Sequence, residues 1–237
     1  MPMALTSASS LLNQPSIVSA AILARRLFDM WRTRDAADII RERASLPAVD
    51  KLTNNPECTP VDINAVLNNT AGCNSHFDYQ AASKVLPLAF GWNNSSEFTQ
   101  QLLTSTIPTD RMPCTRRFDN MQLHIPMVTL IDHINDNVSG HPGLIHGGMT
   151  TVIAHSSMSL VAALNSPKNA QITPLSLNMD YRKPIRTSDF VKIHTWLYQH
   201  RDNELKVAVH FYNLKDEMLV EAVSDIAVRT PSLVLQK

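Results

Sequence analysis

One stretch of this chain, residues 140–165, limits what the rest of the sequence can fold into. It reads GHPGLIHGGMTTVIAHSSMSLVAALN, and Gly147 and Gly148 open a helical pattern that Asn165 and Pro167 end. Residues at helical spacing form one mostly apolar face: Met149, Val152, Ile153, Ser156, Leu160, Ala163 and Leu164. A small or polar strip lies beside it: Thr151, His155, Ser159 and Ala162. The pattern predicts a largely buried helix that starts with free glycine amides and carries one histidine about two turns in.

The segments that follow this helix alternate between apolar and polar residues. The four apolar sets are Leu175, Leu177, Met179 and Tyr181; Val191, Ile193, Thr195 and Leu197; Leu205, Val207, Val209 and Phe211; and Met218, Val220, Ala222, Ile226 and Val228. Such alternation is typical of half-buried strands, and a further short apolar run precedes the helix at 127–131. One strand, a helix and four strands joined by short turns predict an α+β domain, with an antiparallel sheet around one long central helix.

Two motifs on either side of the helix link this pattern to a known family. Pro-Gly-Leu-Ile-His-Gly-Gly precedes the helix, and the pattern Thr-x-Leu-x-Leu-x-x-x-Tyr-x-x-Pro follows it, carried by Thr173, Leu175, Leu177, Tyr181 and Pro184. Together they resemble the single-domain, His-Gly-Gly branch of the hotdog-fold acyl-CoA thioesterases, over about half the chain. The resemblance implies the hotdog fold and an acyl-CoA substrate. It also implies pairing of two hotdog domains, as a homodimer or with a partner of different sequence.

The resemblance assigns catalytic roles to three positions. Gly147 matches the glycine whose amide binds the oxyanion, and Thr173 matches a hydroxyl residue that helps to position the attacking water. Backbone amides at a helix N-terminus suit the oxyanion role, since they point outward and the helix dipole favours negative charge. Plainer interpretations remain open: the glycine pair also permits close packing of helix on strand, and threonine also packs well in strands.

His155 occupies the position where the family usually has Asp or Glu. No acidic residue occurs from Ser139 to Met179. Histidine is itself a general base near neutral pH, and burial keeps it uncharged. Two interpretations follow: His155 serves as the catalytic base, or it is an interior residue of a protein that has lost catalysis.

Three further residues are predicted to bind substrate: His146, Gly148 and Ser159. His146 either orients the bound thioester or supports the turn, and Ser159 is the better-placed hydroxyl partner for His155, one helical turn away. The family also has an amide side chain six residues before the motif histidine. Gly140 stands there instead, next to His141 as a possible substitute.

The rest of the chain divides into an N-terminal segment and an extension. Residues 1–34 contain Arg25, Arg26, Arg32 and Arg34 against one acid, Asp29, and are rich in Ser and Ala. This composition fits a mitochondrial presequence or an ordinary amphipathic helix, so we expect a mitochondrial or otherwise a cytoplasmic protein. Residues 35–114 are predicted to be a helical or irregular extension, and residues 115–230 the hotdog domain.

The overall composition narrows the possible partners. The formal net charge is zero, which favours neither nucleic acid nor an anionic membrane. The longest unbroken apolar run near the start, residues 20–24, is far shorter than the ~20 residues that span a bilayer. We predict no metal site and no cofactor. The sequence thus supports an acyl-CoA thioesterase or, alternatively, a catalytically inactive hotdog subunit of a larger assembly, such as a mitochondrial one.

Overall fold

The computed structural model describes residues 34–68, 85–93, 125–167, 170–201 and 203–229. The predicted presequence, residues 1–34, therefore lies outside the described residues apart from Arg34. The chain divides into two compact units, residues 1–39 and 40–237, and all strands belong to the second unit.

Four α-helices, one short 3-10 helix and nine strands are present in the described residues. The helices are α1 (Ala36–Ala44), α2 (Pro47–Thr53), α3 (Ile63–Asn68) and α4 (Gly147–Leu164), and the 3-10 turn is Asp136–Val138. The strands are β1 (Cys58–Val61), β2 (Leu88–Trp92), β3 (Met127–His133), β4 (Ser139–His141), β5 (Leu144–Ile145), β6 (Gln171–Tyr181), β7 (Phe190–Arg201), β8 (Glu204–Asn213) and β9 (Met218–Arg229).

Seven of these strands form one antiparallel sheet, in the order β1-β2-β3-β7-β8-β9-β6. The helix α4 contacts five of them: β3, β6, β7, β8 and β9. Five strands at a spacing of about 4.8 Å are wider than a helix about 10 Å across, so the sheet must curve around α4 to reach it from both sides. This arrangement confirms the predicted α+β hotdog fold.

The face of the sheet toward α4, here called the inner face, forms the apolar core. Val128, Ile193, Val209 and Ala222 belong to this core together with Ile153 and Met158 of α4. The predicted alternation of β7, β8 and β9 is confirmed except at Met218, since the odd-numbered apolar residues of β7 and β8 and the even-numbered ones of β9 from Val220 onward are buried there. Met218 is half-buried and pairs with Tyr212, beyond a register shift in β8. The opposite, outer face carries the side chains of Thr129, His194 and His210.

The helix α4 is buried more evenly than the predicted apolar face suggests. Ala154, Ser157, Met158 and Val161 are almost completely buried although they lie outside that face, whereas Val152 is half-buried. The curved sheet encloses the second half of the helix, so residues on every side of it lose contact with solvent. By length and composition this helix would suffice to cross a membrane, but 61% of it is buried inside the fold.

The extension contributes two strands to the sheet, which the sequence analysis did not predict within residues 35–114. Strand β2 pairs with β3, and β1 pairs with β2 at the edge. Pro60 in β1 and Gly91 in β2 obscure the strand pattern, because both residue types are unfavourable inside strands. Gly91 is required by close packing, since a Cβ there would lie 2.7 Å from Cγ2 of Ile125.

Strand β6 contains a bulge that changes which residues face the helix. Pro174 pairs with Ile226 and Ser176 pairs with Asp225, which leaves Leu175 as the extra residue. Ile172 before the bulge and Leu177 after it both pack on the core, but Leu175 is 56% exposed. The predicted alternation from Leu175 to Tyr181 therefore holds only from Leu177 onward.

Candidate active site

The N-terminus of α4 is capped by the side chain of its preceding residue. His146 has extended backbone angles, and its Nδ1 accepts a hydrogen bond of 3.0 Å from the Gly148 N–H. The backbone carbonyl of His146 accepts from Met149 and Thr150. The imidazole thus stabilises the first turn of the helix, as an N-cap does, and it uses the Gly148 amide in doing so.

The Gly147 amide has a different environment. Among the described residues no acceptor lies within hydrogen-bond reach of the Gly147 N–H. A side chain at this position would meet little, since a Cβ would lie 3.8 Å from the Tyr181 hydroxyl and 3.9 Å from its Cζ. Of the two glycine amides, the one at Gly147 is therefore available to an external oxygen atom.

The Gly147 carbonyl is fixed from two sides. The Tyr181 hydroxyl donates to it at 3.0 Å, and the Thr151 hydroxyl donates to it at 3.1 Å. These two hydroxyls also lie 3.0 Å apart. The peptide between Gly147 and Gly148 is consequently held at both its carbonyl and its N–H, which orients the start of the helix.

Tyr181 belongs to the motif that follows the helix, but the motif alone predicted no role for it at the site. Its position follows from the β6 bulge, after which Leu177, Met179 and Tyr181 share the inner face. The alternation of these three residues was visible in the sequence. What the sequence did not show was that the strand ends beside the first turn of α4.

A cavity of about 310 Å³ opens at this helix start. Its walls are His141, Leu144, Ile145, Gly147, Thr150, Tyr181, Arg182, Lys183, Pro184, Ile185 and Val220. Arg182 is paired with Glu221 at 2.5 Å and Lys183 with Glu217 at 3.2 Å. The Glu221 hydrogen bond raises the pKa of Arg182. Two cations therefore stand beside the Gly147 amide, and no described lining residue is acidic.

A second cavity, of about 380 Å³, contains His155. It is lined by Thr151, Val152, His155, Pro174, Leu175, Ser176 and Leu177. The Nε2 atom of His155 is buried and has no hydrogen-bond partner among the described residues. Burial lowers the pKa of His155. The imidazole is therefore neutral near pH 7 and retains a lone pair that can accept a proton.

A single chain does not bring the Gly147 amide and the His155 imidazole together. They line separate cavities, and eight residues of helix separate them by about 12 Å at 1.5 Å per residue. No carboxylate lines either cavity in the part of the chain that the structure describes. Within one copy, the described residues therefore bring neither an orienting acid nor the oxyanion amide to His155.

Two other predicted site residues lie away from both cavities. Ser159 is buried, with 4% of its surface exposed, and makes no hydrogen bond with His155 within the described residues. Thr173 is exposed and pairs with Ala227, one residue after the core residue Ile172, so its side chain lies on the outer face. Ser159 is buried because the sheet encloses this part of α4. Thr173 lies on the outer face because side chains alternate between the two faces along a strand.

Steric crowding explains why Gly140 stands where the family has an amide side chain. A Cβ at Gly140 would lie 2.9 Å from the Cα of His146, which is closer than backbone atoms allow. An amide side chain therefore has no room at residue 140. His141 lines the Gly147 cavity and supplies a polar group at nearly the same place.

No metal centre is formed by the described residues, because they contain no group of three or more His, Cys, Asp or Glu that could hold an ion.

Comparison with known proteins identifies the family of this segment. Residues 142–220 match the family model of the thioesterase superfamily. No curated protein sequence matches the chain.

Solved structures of thioesterases align with about half of the chain. A thioesterase from Haemophilus influenzae aligns at 16% identity over 44% of this chain and 71% of its own, with a TM-score of 0.41. A Streptococcus mutans protein bound to acetyl-CoA aligns at 18% identity over 48% and 95%, with a TM-score of 0.42. A hypothetical thioesterase with coenzyme A from Streptococcus pneumoniae aligns at 17% identity over 48% and 94%, with a TM-score of 0.41.

The matched residues begin in the turn before α4, include the whole helix and strands β6 to β8, and end within β9. They thus contain the Gly147 amide, His155 and Tyr181, and they form most of the curved sheet and all of the helix that it encloses. The residues that match the thioesterase superfamily model, 142–220, therefore form most of the hotdog fold of this chain.

Proposed function

We propose that this protein is an acyl-CoA thioesterase in which the Gly147 N–H binds the thioester carbonyl oxygen. The observation that carries the proposal is the free amide of Gly147 at the start of a helix whose next peptide is fixed by His146, Thr151 and Tyr181. A donor held in place before reaction stabilises the oxyanion without reorganising, which is the main requirement for acyl transfer.

His155 acts as the general base in this proposal. Its neutral Nε2 takes a proton from a water molecule, and the resulting hydroxide attacks the thioester carbonyl. The tetrahedral intermediate then expels the coenzyme A thiolate, which takes the proton from the His155 imidazolium, and the carboxylic acid is released. The depressed pKa of His155 supports the first step, because it keeps the imidazole unprotonated at neutral pH.

The two functional groups meet only if a second copy completes the site. Strand β6 has β9 as its one neighbour in the described sheet, and its 11 residues leave a long edge available for pairing. Leu175, 56% exposed, and Tyr181, 51% exposed, lie on this strand, and Leu175 also lines the His155 cavity. We propose that two copies pair along β6, so that the Gly147 amide of one copy faces His155 of the other.

The charges beside Gly147 support coenzyme A as the leaving group. Arg182 and Lys183 line the same cavity as Gly147, and phosphate groups bind most strongly to such cations. The apolar side chains of Leu144, Ile145 and Val220 in that cavity suit an acyl chain.

A second candidate function is a catalytically silent hotdog subunit of a larger assembly. The observation that favours it is the lack of a carboxylate in both described cavities, since histidine then has no acid to orient it. Its location would be mitochondrial if the Arg- and Ser-rich N-terminal residues act as a presequence. Import of the full chain fused to a fluorescent protein, compared with a fusion that lacks residues 1–34, tests this location.

Substitution of His155 separates the two functions. Purified protein is incubated with acyl-CoA substrates of increasing chain length, and the released thiol is detected. For an active enzyme, we expect His155→Ala to lower kcat by about 10²-fold or more, the usual contribution of a general base, and His155→Asp to restore turnover. Wild-type protein without turnover at any chain length, together with turnover in His155→Asp, would instead identify a silenced site.

A proline at residue 147 tests the oxyanion amide directly. His146 has φ −68° and ψ 132°, a conformation compatible with a following proline, and proline is well tolerated at the first helical position. Gly147→Pro removes the N–H, whereas Gly147→Ala adds a side chain and keeps it. We expect the proline variant to lose at least 10²-fold more kcat than the alanine variant, with both melting near the wild-type temperature. Equal kcat values for the two variants would exclude the Gly147 amide as the oxyanion donor.

A further inference from the structure

A further cavity lies on the outer face of the sheet, away from the candidate thioesterase site. It has a volume of about 640 Å³, within the usual range for small-molecule sites. Its walls are Pro47, Ala48, Lys51, Leu52, Asn55, Trp92, Thr129, Lys192, His194, Tyr212, Leu214 and Asp216. None of these residues lines the Gly147 or the His155 cavity. The outer-face cavity is therefore a separate candidate site.

The walls of this cavity combine apolar and aromatic groups. Leu52 of α2 and Leu214 after β8 supply aliphatic surface, and Trp92 and Tyr212 supply aromatic rings. Ring edges and faces pack well against one another and against aliphatic side chains. The composition of the walls thus favours a ligand with a flat aromatic body.

The cavity floor contains hydrogen-bonded polar side chains. Trp92 Nε1 donates to Thr129 Oγ1 at 2.8 Å, and a second hydrogen bond, also of 2.8 Å, joins Thr129 Oγ1 and His194 Nδ1. Burial, the largest cause, and Lys192 lower the pKa of His194 to about 3. The floor is uncharged at neutral pH.

The charge of the cavity comes from three other residues. Lys51 and Lys192 are cationic and Asp216 is anionic, which leaves one net positive charge. Lys192 forms an ion pair with Asp216, but the two side chains differ in exposure: 12% for Lys192 and 77% for Asp216. Returning the Asp216 carboxylate to water costs little, whereas an unpaired Lys192 ammonium would be costly. An incoming anion can therefore exchange with Asp216 on Lys192.

We propose that this outer-face cavity binds an aromatic monocarboxylate, with its carboxylate on the Lys192 ammonium in place of Asp216 and its ring against Trp92 and Tyr212. The binding site is independent of the thioesterase activity. The result of a binding test at this cavity therefore neither supports nor weakens the function proposed for Gly147 and His155.

Calorimetric titration of the full chain with 2-naphthoate and with 2-naphthamide tests the proposal without any substitution. The two probes have the same ring system, and the amide lacks the charge. We expect the carboxylate to bind at least tenfold more tightly, as a charge-assisted hydrogen bond to a sheltered ammonium requires. Equal affinities, or no binding of naphthoate at millimolar concentration, would overturn the proposal.

Two lysine variants locate the binding. Lys192→Met keeps most of the aliphatic stem and removes the ammonium, and Lys206→Met is its matched control, because Lys206 forms an ion pair with Asp225 at 2.6 Å outside the cavity. We expect naphthoate affinity to fall about tenfold in the first variant and to be unchanged in the second. An equal loss in both, or a loss in neither, would contradict a site at Lys192. If Lys192→Met does not fold, the comparison of 2-naphthoate with 2-naphthamide in the wild-type protein still tests the proposal.

Removal of the competing carboxylate gives an effect of opposite sign. Asp216→Asn raises the net charge of the cavity by one and frees the Lys192 ammonium. We expect this variant to bind naphthoate severalfold more tightly than wild type, a gain that a damaged fold would not produce. Unchanged or weaker binding would show that Asp216 and the ligand do not compete.

Discussion

On its inner face the sheet packs against α4 through apolar side chains, and on its outer face it carries hydrogen-bonded polar side chains. The inner face holds Val128, Ile193 and Val209, all with 1% or less of their surface exposed. The outer face holds Thr129 and His194, which are also buried but are joined by hydrogen bonds to each other and to Trp92. These residues are buried on both faces, yet the two faces are stabilised by different interactions.

This difference has consequences for each face. The inner face is stabilised by close packing of apolar side chains, so substitutions that remove atoms there should lower the free energy of unfolding. Buried polar groups are stable only when they keep their hydrogen-bond partners and their protonation state. The free energy of unfolding should therefore fall when a hydroxyl is removed from the outer face or when the pH is lowered. The following three experiments test this contrast, in order of decreasing effect.

A core truncation on the inner face should have the largest effect. Met158 of α4 is completely buried, and Met158→Ala should lower the free energy of unfolding by about 3 kcal/mol, through lost burial and a cavity. Val152→Ala, on the half-buried side of the same helix, should cost less than about 1 kcal/mol. Urea denaturation followed by circular dichroism measures both. Similar losses would mean that α4 is not enclosed on the side of Met158.

Acid should weaken the outer face. Burial lowers the pKa of His194 to about 3, below its unfolded value of about 6.5. The unfolded state therefore binds the proton first, so the stability from His194 is complete above pH 6.5 and is lost as the pH falls toward 3. Between pH 7 and pH 5 this amounts to about 2 kcal/mol.

Urea denaturation across this pH range measures the effect. His194→Asn should make the dependence of the unfolding free energy on pH less steep than in wild type. An equally steep dependence in His194→Asn would show that another group causes the acid sensitivity.

A pair of threonines gives the smallest effect but the most direct comparison. Thr129 on the outer face accepts from Trp92 and is also hydrogen-bonded to His194, whereas the Thr195 hydroxyl, on the inner face, is buried without a hydrogen-bond partner among the described residues. Thr129→Val should cost about 1–2 kcal/mol, because it removes the hydroxyl that is hydrogen-bonded to both the Trp92 N–H and the His194 Nδ1. Thr195→Val should be neutral or slightly stabilising in the same denaturation assay. Equal costs would remove the distinction between the faces.

Local patterns were sufficient to predict most of the second half of the chain. The glycine pair marks the observed start of α4, and alternation in β7, β8 and β9 identifies their core-facing residues. Both patterns depend on neighbours a few residues apart. The pairing of β1 and β2 with β3 was not predicted, because Pro60 and Gly91 interrupt the local signal and a contact with Ile125 decides it.

The candidate site was predicted only in part. Gly147 and His146 are where their motif suggested, but only the coordinates show that His146 uses the Gly148 amide and leaves that of Gly147 free. Helical spacing placed Ser159 near the site, but its side chain is buried within the fold. The family resemblance placed Thr173 there, but its side chain lies on the outer face of the sheet. Their roles as site residues stay predictions.

The sequence by itself determined where the central helix begins, which strands surround it, and that no acid lies between Ser139 and Met179. These properties are set by residue type and by short-range periodicity. The tertiary structure alone decided which glycine amide stays free, where the β6 bulge reverses the facing of side chains, and that Gly147 and His155 occupy separate cavities. Those outcomes depend on contacts between residues distant in the chain, whose geometry no local pattern specifies.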